Sequence, residues 1–291
     1  MNHRGTLPCV PSFPTPIVIH LRAISLQETA LHVGFPFSIP IIRNLHELDF
    51  TTNVTVLVGE NGSGKSTLLE AIATAAELTT VGTDSAHTDS TLTHVHALAE
   101  QIHLVWNKRT RRGFFMRSED FFGYVRRMSQ MRAALANEIQ QIDADYEGRS
   151  ELARNLAKMA HARELKALQD SYGEGLDAQS HGESYFKLFQ QRFKPNGLYL
   201  LDEPEAPLSP MRQLTLLSLL NLSVKQDAQF IIATHSPIIM AYPGATLLSC
   251  DGDHIQQVQY EDLEHVSVMR SFLEKPQAYL RHLVDGADPS D

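Results

Sequence analysis

GENGSGKST, Gly59 to Thr67, stands between the apolar run VTVLV and the helix-forming run LLEAIATAA. It fits the pattern G-x-x-x-x-G-K-[ST], with Gly59, Gly64, Lys65 and Ser66 at the defining positions. Glycines let backbone N–H groups close around phosphate oxygens, and the N-terminus of the following helix adds partial positive charge. Gly59, Glu60, Asn61, Gly62, Ser63, Gly64, Lys65, Ser66 and Thr67 are therefore expected to bind a nucleotide. In that arrangement Lys65 reaches the β- and γ-phosphates and Ser66 coordinates Mg²⁺.

The rest of the chain is compatible with such a site. Its 291 residues suffice for a sizeable core. The net charge of -9 argues against wholesale coating of nucleic acid, though it leaves room for a local basic face. The two cysteines, Cys9 and Cys250, form no CxxC pair, so neither a zinc site nor a disulfide framework is indicated. That usage fits a reducing compartment, and a cytoplasmic location is expected. Apolar stretches stop well short of bilayer-spanning length, which excludes a membrane channel built from this chain. Residues 1–16 are Pro-rich and read as a flexible lead-in.

Along the chain, IVIHLRAISL (17–26) alternates like a strand, and FPFSIPII (35–42) reads as another, placed at a sheet edge by its prolines. NVTVLVG (53–59) is a continuous apolar strand of the buried parallel kind, and a helix follows from about Lys65 to Leu78. Residues 79–93 read as a polar loop. QIHLVW and GFFMR read as two strands facing each other across NKRTRR. From Phe121 to Leu168 the pattern turns helical, in short segments separated near EGRS (147–150). GLYLLD, a helix over 211–225, QFIIATHS, a hairpin turning at DGDH and an amphipathic helical tail over 261–284 complete the chain. The expected fold is α/β, with a mostly parallel core sheet, an antiparallel β part and an inserted helical lobe. Its parts are residues 17–118 (first part of the core), 119–180 (lobe) and 181–291 (second part).

Two further stretches carry chemistry. GLYLLDEPE delivers Asp202 and Glu203 to the C-terminal edge of a buried strand, where ligands bind in such sheets. Asp202 is expected to hold Mg²⁺, and Glu203 to orient and deprotonate the attacking water. IIATHSP ends the next buried strand in His235, suited to contact the γ-phosphate and that water.

These three elements at this spacing resemble the ATP-binding-cassette (ABC) ATPases over about residues 20–250. The resemblance implies ATP as the nucleotide and a P-loop NTPase fold. The family's signature segment reads LSGGQ, and QSHGE (Gln179–Glu183) stands in its place here. Ser180 and Gly182 match, while His181 and Glu183 replace a glycine and the glutamine. In the family, that serine and glycine cap the nucleotide of a second subunit, so the resemblance implies an ATP-dependent homodimer. The family's dimer-contact Leu-Asp is Leu208-Ser209 here, and the position of its glutamine at the lobe entry falls on Glu119. Phe35 and Phe37 are candidates for stacking on adenine. The wording also resembles small stand-alone bacterial AAA-family ATPases, whose cores are nearer RecF and SMC heads than many transporter subunits.

Between Lys108 and Arg132 lie eight cationic residues against Glu119 and Asp120. Such a stretch either tracks a phosphate backbone or forms a solvated hairpin and helix face. Three functions are compatible with the sequence: an ATPase acting on DNA or a partner protein, the energy-coupling subunit of a membrane transporter, and a module that holds ATP without turnover. The altered signature and missing Leu-Asp weigh against the second, and the intact Glu203 against the third.

Overall fold

The computed structural model describes residues 18–27, 34–81, 90–172 and 188–284. In chain order the elements are β1 (Leu21–Leu26), α1 (Pro40–Arg43), β2 (Glu47–Asp49), β3 (Val54–Val58), α2 (Lys65–Ala75), β4 (Thr79–Thr80), α3 (His96–Gln101), β5 (Ile102–Trp106), β6 (Gly113–Arg117), α4 (Ser118–Asp145) and α5 (Glu151–Tyr172). A helix described over residues 188–192 (α6) follows. Then come β7 (Leu198–Asp202), α7 (Pro210–Val224), β8 (Gln229–Ala233), α8 (Pro237–Met240), β9 (Thr246–Ser249), β10 (Gln256–Val258), α9 (Glu264–Glu274) and α10 (Pro276–Val284).

The large sheet has the order β10-β9-β3-β8-β7-β6-β4. Every pairing in it is parallel except β10 with β9. A second, antiparallel sheet has the order β2-β1-β5. This is the α/β arrangement expected from the sequence.

The large sheet is buried on both faces, which is why its central strands are mostly apolar. Val54, Val56 and Val58 of β3 enter one core cluster with Phe114, Tyr199 and Phe230. Leu57 enters the opposite cluster with Leu68, Leu69 and Ile72 of α2 and with Leu21 and Ile24 of β1. The first cluster is rich in aromatic rings, with centroids 4.7 Å apart for Phe193–Tyr199 and 5.1 Å for Phe114–Tyr199. Each such side chain contributes about 1.5–3 kcal/mol by burial. The Tyr199 hydroxyl avoids an unmet bond by donating to the Lys194 carbonyl at 2.9 Å.

Three expectations are corrected. Residues 35–42 form a turn and the short helix α1, with Ser38 N–H donating to the Gly34 carbonyl and Ile39 N–H to that of Pro36. Pro40 sits in the first turn of α1, where its missing N–H costs nothing. Ile41 and Ile42 are both buried, turned into the core by this helix. The strands β5 and β6 do not face each other: β5 pairs antiparallel with β1, and β6 pairs parallel with β7 and β4. Their burial decides this, since β6 is enclosed and β5 is half-exposed. Gly113 starts β6 so close to its neighbour that a Cβ there would lie 1.7 Å from the Leu198 carbonyl oxygen.

The third correction concerns the lobe, which is a hairpin of long helices rather than short segments. α4 has 28 residues and α5 has 22. Their composition favours uninterrupted helix, and the chain reverses at 146–150, within which Gly148 has φ 82°. Asp143 pairs with Arg154 and Lys158 across the reversal, and Glu138 with His161. The tail is two helices, divided at Lys275 ahead of Pro276. Among the described residues, no helix is long and apolar enough to cross a membrane.

Candidate nucleotide site

Four neighbouring strands, β9, β3, β8 and β7, run parallel, so their C-terminal ends share one edge of the sheet. β3 leads into the 59–67 loop, β7 ends in Asp202, β8 leads to His235 and β9 leads to Asp251. The sheet thus brings together residues far apart in sequence, at the edge where ligands bind in this class of fold.

The loop is shaped by its glycines and its lysine. Gly64 has φ 98°, and a Cβ there would meet Ile39 Cγ2 at 2.7 Å and Ile41 at 3.2 Å. Only glycine lets the loop turn into α2 against α1. Lys65 Nζ folds back over the loop, donating to the carbonyls of Gly59 and Glu60 at 2.7 Å each. Burial pulls the Lys65 ammonium below its ordinary pKa, and nearby Cys250, Asp251, Asp202 and Glu203 oppose that shift.

Ser66 Oγ donates to Asp202 Oδ1 at 3.1 Å. Burial pushes the Asp202 carboxyl up to about 7, and like charges on Glu203 and Glu70 add to this against the pull of Ser66 and Lys65. A buried carboxylate touching one hydroxyl is a hard, oxygen-only donor pair. It fits Mg²⁺, which takes one or two protein oxygens and completes its shell with phosphate and water.

Glu203 adopts φ 49°, a left-handed conformation that costs a side-chain-bearing residue about 1–2 kcal/mol. It is held there by its N–H donating to the Ala233 carbonyl at 2.8 Å. Its side chain is half-exposed and lies 4.0 Å from His235 Nε2, too far for a hydrogen bond. His235 Nε2 is buried and has no hydrogen-bond partner among the described residues. The backbone there is tightly fixed. His235 N–H donates to Glu205 Oε1 at 2.7 Å, Ser236 N–H donates to Thr234 Oγ1 at 2.9 Å, and Ser236 caps α8. Glu205 Oε2 is likewise buried without a partner among the described residues.

The structure thus gathers the 59–67 loop, Asp202, Glu203 and His235 at one sheet edge. Ser180 and Gly182 lie outside the described residues. Glu119 sits exposed in the first turn of α4, 3.5 Å from Arg117. Phe37 packs against the core, whereas Phe35 is exposed and stacks on His94 at 5.8 Å. Sequence reasoning missed Asp251, whose Oδ1 accepts from Glu60 N–H at 2.7 Å and so braces the loop entry. The strand-end rule that selects Asp202 would have selected it too, but the D-G turn reading of DGDH concealed it. It also missed Glu205.

The amino-acid pattern of the AAA domain family matches residues 37–194, just over half of the chain. The chain belongs to that family. Among solved structures, the AAA protein is similar to the Smc head domain of Pyrococcus furiosus bound to the C-terminal domain of ScpA, at 13% identity. That match covers 88% of this chain and 99% of the other, with a TM-score of 0.45. It is also similar to an ATP-binding cassette of an ABC transporter, at 15% identity over 90% of this chain and 99% of the other, TM-score 0.45. The SMC head domain from Thermotoga maritima matches at 16% identity over 83% of this chain and all of the other, TM-score 0.42. No curated protein matches the chain.

Proposed function

We propose that this AAA protein binds and hydrolyses ATP with Mg²⁺ in a nucleotide-gated dimer, and that opening and closing of the dimer acts on DNA or a partner protein. The observation that carries the reading is the meeting of Lys65, the Ser66–Asp202 pair, Glu203 and His235 at the ends of adjacent parallel strands.

In this reading the backbone N–H groups of the loop and Lys65 bind the phosphates. Lys65 exchanges its two carbonyl contacts for phosphate oxygens. Ser66 and Asp202 would hold Mg²⁺, which would supply positive charge to the transferred phosphoryl group. Glu203 takes a proton from a water, whose oxygen attacks the γ-phosphorus as the bond to the ADP oxygen breaks. His235 Nε2, which is buried and without a partner among the described residues, hydrogen-bonds the γ-phosphate or that water. Ser180 and Gly182 of a second copy close over the same phosphate, giving two equivalent sites across a two-fold axis. Hydrolysis removes the shared ligand and the dimer loosens.

Sedimentation of Glu203→Gln with and without Mg-ATP tests the gating. The variant is expected to be dimeric with Mg-ATP and monomeric after nucleotide removal. A sedimentation coefficient indifferent to ATP contradicts it.

A further inference from the structure

The basic stretch Lys108–Arg132 is not a single surface. Arg117 is buried at the C-terminal end of β6, where it pairs with Asp120, Glu119 and Glu70. Arg126, Arg127 and Arg132 lie on α4 beyond that end. Lys108, Arg109, Arg111 and Arg112 lie before β6, at the opposite edge of the sheet. β6 and β7 run in register from Gly113–Leu198 to Arg117–Asp202. Four strand steps, about 13 Å, therefore separate this loop from the Asp202 edge.

Within this loop the four cations are exposed. None of them makes an ion pair among the described residues. Lys108 Nζ donates to Asn196 Oδ1 at 3.0 Å and Arg112 Nη1 to the Pro195 carbonyl at 3.3 Å, so both bond only to neutral groups. Four uncompensated charges in five residues are notable in a chain of 34 acids and 25 lysines and arginines. Lys194 and Lys225 are also exposed close by, because Asn196 N–H donates to the Gln226 carbonyl. Asp227 is the neighbouring acid, and its side chain is half-exposed.

The loop is also fixed in place. His20 is set between the Lys108 and Asp227 carbonyls, its two ring nitrogens 3.1 Å and 2.7 Å from them, and an N–H on either nitrogen ties the ring to one of the two segments. Thr110 Oγ1 donates to the Asn196 carbonyl at 2.8 Å and accepts from Arg112 N–H at 3.1 Å. Leu198 N–H donates to the Arg112 carbonyl at 2.9 Å. The result is an open notch of about 400 Å³, walled by His20, Asn196 and the cationic loop. A loop whose backbone is already fixed loses less entropy on meeting phosphate than a mobile one, and the planar guanidinium forks of its arginines match phosphate oxygens.

We propose that this notch binds the phosphate backbone of a nucleic acid, on the sheet edge opposite the ATP site. The proposal rests on the reading that the protein acts on DNA, and it names the surface. β7 joins the two sites directly, since Leu198 borders the notch and Asp202 borders the nucleotide.

The test measures binding of a short duplex DNA, and of a single strand of equal length, to the full chain by fluorescence anisotropy. Salt is varied between about 50 and 200 mM. Wild type is compared with Arg109→Ala/Arg111→Ala and with the milder Arg109→Gln/Arg111→Gln, and ATP turnover without DNA is measured for all three. Neither arginine belongs to the ATP site. Two lost phosphate contacts lower the salt slope by about 2 and, at about 0.1 M salt, weaken binding by up to about 60-fold. Turnover without DNA stays at the wild-type rate. Wild-type binding that both variants retain unchanged overturns the site. Wild type that binds neither DNA at low salt, with or without ATP, overturns the proposal. Measured turnover then shows whether the ATPase reading survives separately. Binding only to anionic lipid vesicles also overturns it.

Discussion

Replacing Asp251 separates two effects that act on ATP binding in opposite directions. Its Oδ1 accepts from Glu60 N–H at 2.7 Å, fixing the entry of the 59–67 loop. Its charge also faces the region where ATP phosphates would sit, and repels them. Asp251→Asn removes the charge and keeps an oxygen acceptor. Asp251→Ala removes both, so the Ala–Asn difference isolates the brace. A hydrogen bond to a charged group contributes about 1.5–3 kcal/mol, but Asp251 is exposed and the asparagine bond is neutral, so about 1–1.5 kcal/mol applies. At about 1.4 kcal/mol per tenfold, Asp251→Ala should bind ATP roughly 5- to 10-fold more weakly than Asp251→Asn. Asp251→Asn itself should bind as tightly as wild type or more so. The assay is equilibrium ATP binding by calorimetry, with kcat measured alongside. Equal ATP affinity for the Ala and Asn variants would refute the brace.

Gly64→Ala forces a side chain into a left-handed backbone and against Ile39. The two costs together reach about 2–5 kcal/mol, so thermal unfolding should show a Tm lower by about 3–8 °C, with ATP binding lost. An unchanged Tm would contradict the packing of α1 on the loop. Glu205→Ala frees the His235 backbone, so kcat should fall at least about tenfold while ATP affinity holds, with Glu205→Gln recovering most of the rate. Equal losses in both variants would show that the bond to His235 N–H is not what matters. Burial pushes the Cys250 thiol up to about 12, so at about pH 8.5 it should resist iodoacetamide until the protein is denatured. Peptide mass mapping that finds native Cys250 alkylated would contradict its enclosure.

Much of the site was legible because its chemistry is written at short range. GENGSGKST and GLYLLDEPE each combine a buried strand with the residues at its end, and the parallel sheet then aligns those ends. His235 followed from the same rule. Asp251 did not, because Cys-Asp-Gly-Asp reads as a turn unless β9 is known to run parallel beside β3. Pairing choices were hidden for a related reason. Nothing local in QIHLVW or GFFMR says that they belong to different sheets; only their unequal burial in the folded chain does. The prolines of FPFSIPII suggest an edge strand when taken locally, yet Pro40 begins a helix. The basic stretch looked continuous because sequence distance conceals that β6 carries its two ends to opposite sides of the sheet.

Steady-state ATP hydrolysis by wild type and Glu203→Gln, at saturating ATP and Mg²⁺, tests the central claim most directly. Wild type is expected to turn over ATP with a requirement for Mg²⁺. Glu203→Gln should bind ATP with undiminished affinity and hydrolyse it at least about 100-fold more slowly, the upper range for loss of a positioned proton acceptor being nearer 10⁴. A Glu203→Gln variant that hydrolyses at the wild-type rate would contradict the assignment of the site.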